Sequence, residues 1–543
     1  MSDRRILLAL LAAFSLLLCL ELPGSALTEP DEARYAEIPR EMMAAHDYVT
    51  PRLNGTRYYE KPPLLYWANA ASFALLGPTD FAARLPARLA ALGTAALIAL
   101  ALGGEWGLWA ALILLSAPLS FVLGRYNVTD GVLTFAMTIV LVAMRAFLRR
   151  RERGEGAALA LAALGLGAGL AVLAKGLIGI VLPGLVFLLY IGLVGEWKRL
   201  GELILSPAPL VLAAVAAPWF VLMERDNPGF AQVFFIREHF QRFATNEAKR
   251  EGPVYYFVLA FIAGFLPWTL PFGAWVGGAA VRTRAALRAR RDELLFALWF
   301  FVIVGFFSLS RSKLLPYILP ALPAAAALTA KVIVDRAPAL RGALVTCAAL
   351  LTIALGGGLA FALAKGLLAP YDAAGYAAAG LAALLAGAWA AAALARRAPR
   401  RALLAAAAGW GGLYLALVLA LPRLSHELST EDLARAAAAV PGATVVAYRN
   451  YPQGFAWTLG HPIPVVDFVG ELATDGARPA AIFWGRDDFW RRWHAGEPLA
   501  VVVRRREFAD WRAQGDSSPT AVASNRTYLV VTNLPPTSPA PVR

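Results

Sequence analysis

Apolar runs of membrane-spanning length recur along the chain, separated by short polar stretches. They cover residues 6–22, 81–102, 107–123, 131–148, 157–174, 177–194, 203–223, 254–276, 294–309, 314–334, 343–364, 376–394 and 402–421. A helix needs about 20 mostly apolar residues to cross a bilayer, so the pattern predicts about thirteen transmembrane helices. After residue 423 the pattern changes. Short β-rich runs at 444–448, 464–468, 499–503 and 528–532 are separated by helix-like segments such as 431–439 and 487–494. This predicts a small soluble α/β domain over 424–543, following a membrane domain over 1–423.

Two longer polar loops interrupt the membrane domain, at 23–80 and 224–253. In the first, Asp31, Arg34, Tyr35 and Ile38 share one helical face behind Pro30, which suits a first turn. A second helical run, 64–76, follows Pro62 and Pro63. Both read as amphipathic juxtamembrane helices lying at the outer membrane surface.

Charge orients the chain. The net charge is +14, which in a soluble protein would suggest nucleic acid. Here Lys and Arg gather in alternate loops: Arg4-Arg5, Arg149 to Arg153, Lys198-Arg199, Arg282 to Arg291, Arg336 with Arg341, and Arg396 to Arg401. The positive-inside rule makes that side cytoplasmic, so nucleic acid is not the partner. The N-terminus is then inside, and the two polar loops and the C-terminal domain are outside. The start resembles a signal peptide, but we read the first helix as a retained anchor. The two cysteines, Cys19 and Cys347, fall in predicted spans and offer no disulfide framework or Cys-based metal site. No repeat of 20–50 residues is present.

Candidate chemistry then falls on one side of the membrane. The outer ends of the spans carry TEPDEARYAE (28–37), RYYEKPPLLYW (57–67), GRYNVTDG (124–131), AKG (174–176), an Arg237-Glu238-His239 run followed by Arg242, and SRSKLLPYILP (310–320). Lys61, Lys175, Arg242, Arg311 and Lys313 would make an outward cavity cationic, with Asp31, Glu32 and Asp130 among them. Several cations together suit a phosphate, and carboxylates among them suit catalysis better than storage. The structural alternative for any one of these is a solvated or snorkelling charge at a helix end, or an aromatic anchor for Tyr35, Tyr58, Tyr66 and Trp67. Glu60 and His239 are a candidate metal pair that nothing in the sequence fixes; His239 alone reads as structural.

The order of these motifs resembles the bacterial 4-amino-4-deoxy-L-arabinose lipid A transferases, within the membrane GT-C glycosyltransferases that include the protein O-mannosyltransferases. The stretches EPDEARYAE, YYEKPPLLYW, RYNVTD, AKG, EHFQRF and SKLLPYILP carry the resemblance, and YRNYPQGFAWTLG and PVVDFVGEL extend it into the C-terminal domain. It implies an inverting transferase of the bacterial inner membrane. The implied donor is a sugar on undecaprenyl phosphate and the acceptor a lipid A phosphate on the periplasmic face, with cationic-peptide (polymyxin) resistance as the outcome. It implies no required cofactor. By match of motif, Asp31 is the implied catalytic acid of the first loop and Asp130 the later one; among the acids of the opening stretch Glu32 is the second candidate after Asp31. Lys61, Lys175, Arg242, Tyr317 and Arg34 are implied at the donor phosphate, and Tyr35, Tyr58 and Lys313 as substrate-positioning groups. Two departures stand out: Leu177 replaces a Pro after AKG, and the Pro of KLLPY is shifted. The rival readings are a related transferase acting on a protein or other envelope acceptor, and a lipid-linked sugar transporter. A transporter would more often show internal repeats or broken mid-membrane helices.

Overall fold

A computed structural model of the chain describes residues 3–241, 252–278, 284–336, 374–472, 476–508 and 519–535, with isolated positions 350, 358, 361 and 511; side chains at 237–241, 284–286 and 426 fall outside this set. Among the described residues, 8 helices are long and apolar enough to cross a membrane, or up to 10 if two bent pairs each count as one span. The eight include Asp80–Leu102, Thr129–Glu152, Ala158–Lys175, Pro207–Asp226 and Arg291–Leu309. The protein is thus a multi-pass membrane protein, with fewer continuous spans than the hydropathy runs predict.

The shortfall has identifiable causes. The run at 107–123 is broken at Ala117, just before Pro118, and Gly104–Ser116 and Pro118–Arg125 meet at 66°. Proline removes a backbone donor and crowds the preceding turn, so an apolar run need not be one helix. The run at 254–276 is likewise split around Pro267 into Tyr256–Gly264 and Thr269–Gly278, bent by 119°. Ile178–Val194 forms as predicted but is shorter than a full crossing. Apart from the isolated positions 350, 358 and 361, the predicted span at 343–364 lies outside the described residues.

The two ends of the helical bundle differ chemically. At one end Asp292 takes Arg145 and Arg149, Arg291 reaches Glu152 and Glu196, Arg400 meets Glu105, and Arg401 meets Asp3. At the other end lie the first loop, Asp130, Lys175 and Tyr317. Thr129–Glu152 joins the two, with Asp130 and Arg149 about 28 Å apart along its axis at 1.5 Å per residue.

The first loop is not a surface layer. Helix Asp31–Ala44 is buried on nearly every side, from Glu32 to Met42. It packs against Leu64–Leu76 on one side and against Gln453–Leu459 of the C-terminal region on another. The amphipathic surface-helix expectation fails for Asp31–Ala44 because its polar side chains are spent on internal partners.

The C-terminal region holds a six-stranded sheet in the order β5-β4-β3-β6-β8-β7. After the loop hairpin β1 (Arg52–Leu53) and β2 (Thr56–Arg57), these are β3 (Thr444–Tyr448), β4 (Val465–Val466), β5 (Phe483–Trp484), β6 (Leu499–Arg504), β7 (Thr520–Ser524) and β8 (Tyr528–Thr532). Strands β3 to β6 pair in parallel, and β8 pairs antiparallel with β6 and β7. The parallel core is apolar on both faces, as Val445, Val446, Val501, Val502 and Val503 are all buried. One face carries Phe489, Trp493 and Trp511 in an aromatic cluster with Tyr448.

Candidate active site

Three helix ends build one half of the site. Asp130 stands in the first turn of Thr129–Glu152, and Lys175 is the last residue of Ala158–Lys175. A cation is favoured at a helix C-terminus, where unpaired carbonyls leave partial negative charge. Gly176 follows with φ +75°, a left-handed turn that ends the helix at a fixed angle. Lys175 Nζ lies 2.5 Å from Asp130 Oδ1, and both side chains are about nine-tenths buried (11% and 9% exposed). The same ammonium sits 4.6 Å from the Tyr317 ring, on the 3-10 turn Leu315–Ala321. Tyr317 is braced in turn by Phe307 and Phe257.

The first loop builds the other half. Asp31 begins helix Asp31–Ala44 and remains 41% exposed, while Arg34 one turn on is buried. The Arg34 guanidinium lies 3.5 Å from Asp31 and pairs with Glu471 of the C-terminal region. Tyr35, Tyr58 and Tyr66 are buried beside it, and the Tyr35 and Tyr66 rings lie 6.2 Å apart. The Tyr58 and Tyr66 hydroxyls and Arg34 Nε find no hydrogen-bond partner among the described residues. Burial, with Glu60 next in effect, raises the Tyr58 hydroxyl well above its ordinary range, so it stays a neutral donor. Lys61 Nζ donates to the Glu60 carbonyl at 3.2 Å and lies 3.8 Å from its carboxylate.

The halves are joined through Glu32 and Asn127. The Glu32 carboxylate accepts from Asn127 N at 3.0 Å, and Asn69 Nδ2 bridges Asn127 Oδ1 and the Tyr35 carbonyl, both at 3.0 Å. Thr28 Oγ1 reaches Tyr126 Oη at 2.7 Å. These contacts hold the segment that precedes Asp130 against the helix that starts with Asp31.

Comparison with known proteins places this arrangement. Residues 6–234 match the model of the dolichyl-phosphate-mannose-protein mannosyltransferases, and residues 433–533 match the aminoarabinose transferase C-terminal domain. The chain is 34% identical over 362 residues to the undecaprenyl phosphate-alpha-4-amino-4-deoxy-L-arabinose arabinosyl transferase of Pectobacterium carotovorum, covering 65% of this chain and 64% of the relative. It is 35% identical to its Pectobacterium atrosepticum counterpart, over 66% of this chain and 65% of that one. The chain therefore spans just under two thirds of these relatives' length. A crystal structure of ArnT from Cupriavidus metallidurans bound to undecaprenyl phosphate superposes with TM-score 0.82 at 29% identity, covering 97% of both chains. In sequence and in fold the chain is similar to the aminoarabinose transferases.

Several of the expected residues have partners within the protein. Glu32 is 1% exposed and accepts from Arg84, Thr28 and Asn127. Its carboxylate is a structural hub, with all of these contacts made inside the protein. Lys313 donates to the carbonyls of Phe307, Ser308 and Ser310 at 3.1, 2.7 and 2.5 Å. It caps the end of Arg291–Leu309. Arg242 lies outside the described residues, and so does the His239 side chain, which leaves Glu60 as the described member of the candidate metal pair. Among the described residues no group of three or more His, Cys, Asp and Glu side chains could hold a metal.

Sequence reasoning missed the residues that brace the site. Arg84 and Arg88 share Glu21, and Arg84 also binds Glu32 and the Ser25 and Ala26 carbonyls. Arg125 caps the first helix through the Leu17, Leu18 and Leu20 carbonyls. The signal was present: two arginines four residues apart near the start of an apolar span demand internal partners.

Proposed function

We propose that this chain transfers 4-amino-4-deoxy-L-arabinose from undecaprenyl phosphate to a lipid A phosphate at the periplasmic face of the inner membrane, with its N-terminus cytoplasmic and its C-terminal domain periplasmic. The observation that carries the reading is the fate of the acids around Asp31. Glu29, Glu32 and Glu37 are all consumed by internal partners, whereas Asp31 keeps a partly exposed carboxylate. The names of the relatives and the undecaprenyl phosphate bound by the similar crystal structure support the donor.

Breaking the bond between sugar and lipid phosphate leaves added negative charge on the phosphate. Preorganised cations aimed at those oxygens lower the barrier. Lys175 and Lys61 serve there, with Tyr317 beside Lys175 as a hydrogen-bond donor and Arg242 completing the set. Lys175 changes partners, from Asp130 to the donor phosphate, and frees the Asp130 carboxylate for the amino group of the sugar. A lipid A phosphate has a second pKa near about 6 and needs no strong base to attack. Asp31 orients the acceptor and offsets positive charge at the anomeric carbon. No metal is required by this scheme.

Mass spectrometry of lipid A tests it, in cells with the gene, without it, and with Asp31→Asn. The expected result is an amino-pentose addition with the intact gene alone, together with polymyxin resistance. Identical lipid A in all three would overturn the lipid A reading and redirect the search to glycoproteins and other envelope glycans.

A further inference from the structure

The end of the bundle opposite the candidate active site holds two adjoining cavities, of about 230 and 370 Å³. Arg290, Glu293 and Lys331 line both; Arg336 lines the first and Arg288 the second. Around the two together, six cations face four carboxylates. Most of the cations are matched within the protein. Arg290 is paired to Glu293, Arg149 to Asp292, Arg291 to Glu152, and Lys331 to Asp335. The excess rests on Arg288, which donates to the neutral Val194 carbonyl, and on Arg336, for which no ion pair is recorded among the described residues.

From this we infer a binding site for a phosphate group, and the geometry points to one carried by a phospholipid of the leaflet at that end. Two unbalanced guanidiniums beside a cavity match the one or two charges of a phosphate, and arginine is the side chain best shaped to hold it. The first cavity is amphipathic. Ala274, Trp275 and Val332 form an apolar wall against the charged one, and neighbouring Val276 is exposed. A free phosphate ion has no use for that wall, whereas the first methylenes of a lipid do. Basic pockets between transmembrane helices are the usual seat of anionic headgroups. Trp106, in the wall of the second cavity, is held between Arg145 and Lys331, which keeps Lys331 at the cavity rim. Nothing in the proposed transfer reaction uses this end of the molecule.

Native mass spectrometry of the full-length protein in neutral detergent tests the site. The probes are dioleoyl phosphatidylglycerol, dioleoyl phosphatidylcholine and sn-glycerol 3-phosphate. Wild type should retain phosphatidylglycerol over phosphatidylcholine, and Arg288→Gln with Arg336→Gln should lose roughly tenfold or more in retention. Arg336→Gln alone, at the rim, should show a smaller loss without a change in melting temperature. Arg400→Gln, on the same face but outside both cavities, should retain lipid as wild type does. Glycerol 3-phosphate that fails to displace the lipid supports the lipid source. Glycerol 3-phosphate that binds at equal concentration assigns the same site to soluble phosphates and overturns the lipid assignment. Equal retention by wild type and the cavity variants, or an equal loss in Arg400→Gln, overturns the site.

Discussion

The acidic stretch after the first helix shows how one residue type takes four roles within a few positions. Glu29 is buried and accepts from Thr430 Oγ1 and the Gln453 and Gly454 amides, at 2.6, 2.9 and 2.6 Å. Asp31 faces the site. Glu32 anchors Arg84, and Glu37 holds Arg40 at 2.6 and 2.5 Å. Removing one member of a buried, hydrogen-bonded ion pair typically costs about 3–5 kcal/mol, because the other charge is left without a partner. Glu32→Ala should therefore lower thermal stability in detergent far more than Asp31→Ala, and the two melting curves check this. Glu41 supplies a pH-dependent counterpart. Burial, and then the charge of Glu37 one turn away, push its carboxyl up to about 8. A carboxyl raised on folding binds its proton more tightly in the folded state. Its stabilising effect is complete at low pH and fades as pH rises through the folded value. Stability should therefore fall between about pH 5 and pH 8, by a few kcal/mol. Glu41→Gln should flatten that slope, which thermal melts across the range would show.

Elements were legible where a local pattern decides them and obscure where a distant partner does. The Arg34, Tyr35 and Ile38 spacing located helix Asp31–Ala44, and the β-rich runs located β3, β6 and β8. The full enclosure of that helix was not legible, because its cover comes from Gln453–Leu459, far away in sequence. The two-residue strand β5 and the edge strand β7 carry too little alternation to stand out from loops. In the site, Asp130, Lys175 and Tyr317 were chosen by motif, and their mutual contact is a property of three separate helix ends. Lys313 shows the limit: a cation at a helix end can as well cap that helix as bind a ligand. Small residues set how closely the spans approach, which is testable at Gly165. A Cβ there would lie 2.3 Å from the Ala208 carbonyl oxygen, on the neighbouring helix Pro207–Asp226. In a well-packed interface such added bulk costs about 1–3 kcal/mol. Gly165→Val should lower the melting temperature, whereas Gly184→Val, where a Cβ meets nothing within 4 Å, should not.

At the scale of the whole molecule, the first loop is the clamp between the membrane bundle and the C-terminal sheet. Asn54 exchanges two hydrogen bonds with Ile463, at 2.8 Å each, and Arg34 links the site to Glu471. The tightest joint is at Glu29, whose carboxylate caps the start of Gln453–Leu459. Burial pushes its carboxyl up, against the pull of the Thr430 hydroxyl and the two amides. The fit leaves no spare room: a Cβ on Gly454 would sit 2.6 Å from Thr430 Oγ1 and 2.8 Å from Glu29 Oε1. Because the same short segment carries Glu29 and Asp31, the joint fixes where the exposed carboxylate stands relative to the sheet. Breaking it from either side should have one effect. Glu29→Ala leaves two buried amides and a hydroxyl without their acceptor, at about 1–3 kcal/mol for each group left unsatisfied. Gly454→Ala forces the same groups apart from the opposite partner. Both variants should release the C-terminal region to limited proteolysis near residue 430 while the membrane bundle stays resistant. If both are cleaved no faster than wild type, the clamp is held by the Asn54 and Arg34 contacts instead, and Asn54→Ala would then be the variant that loosens it.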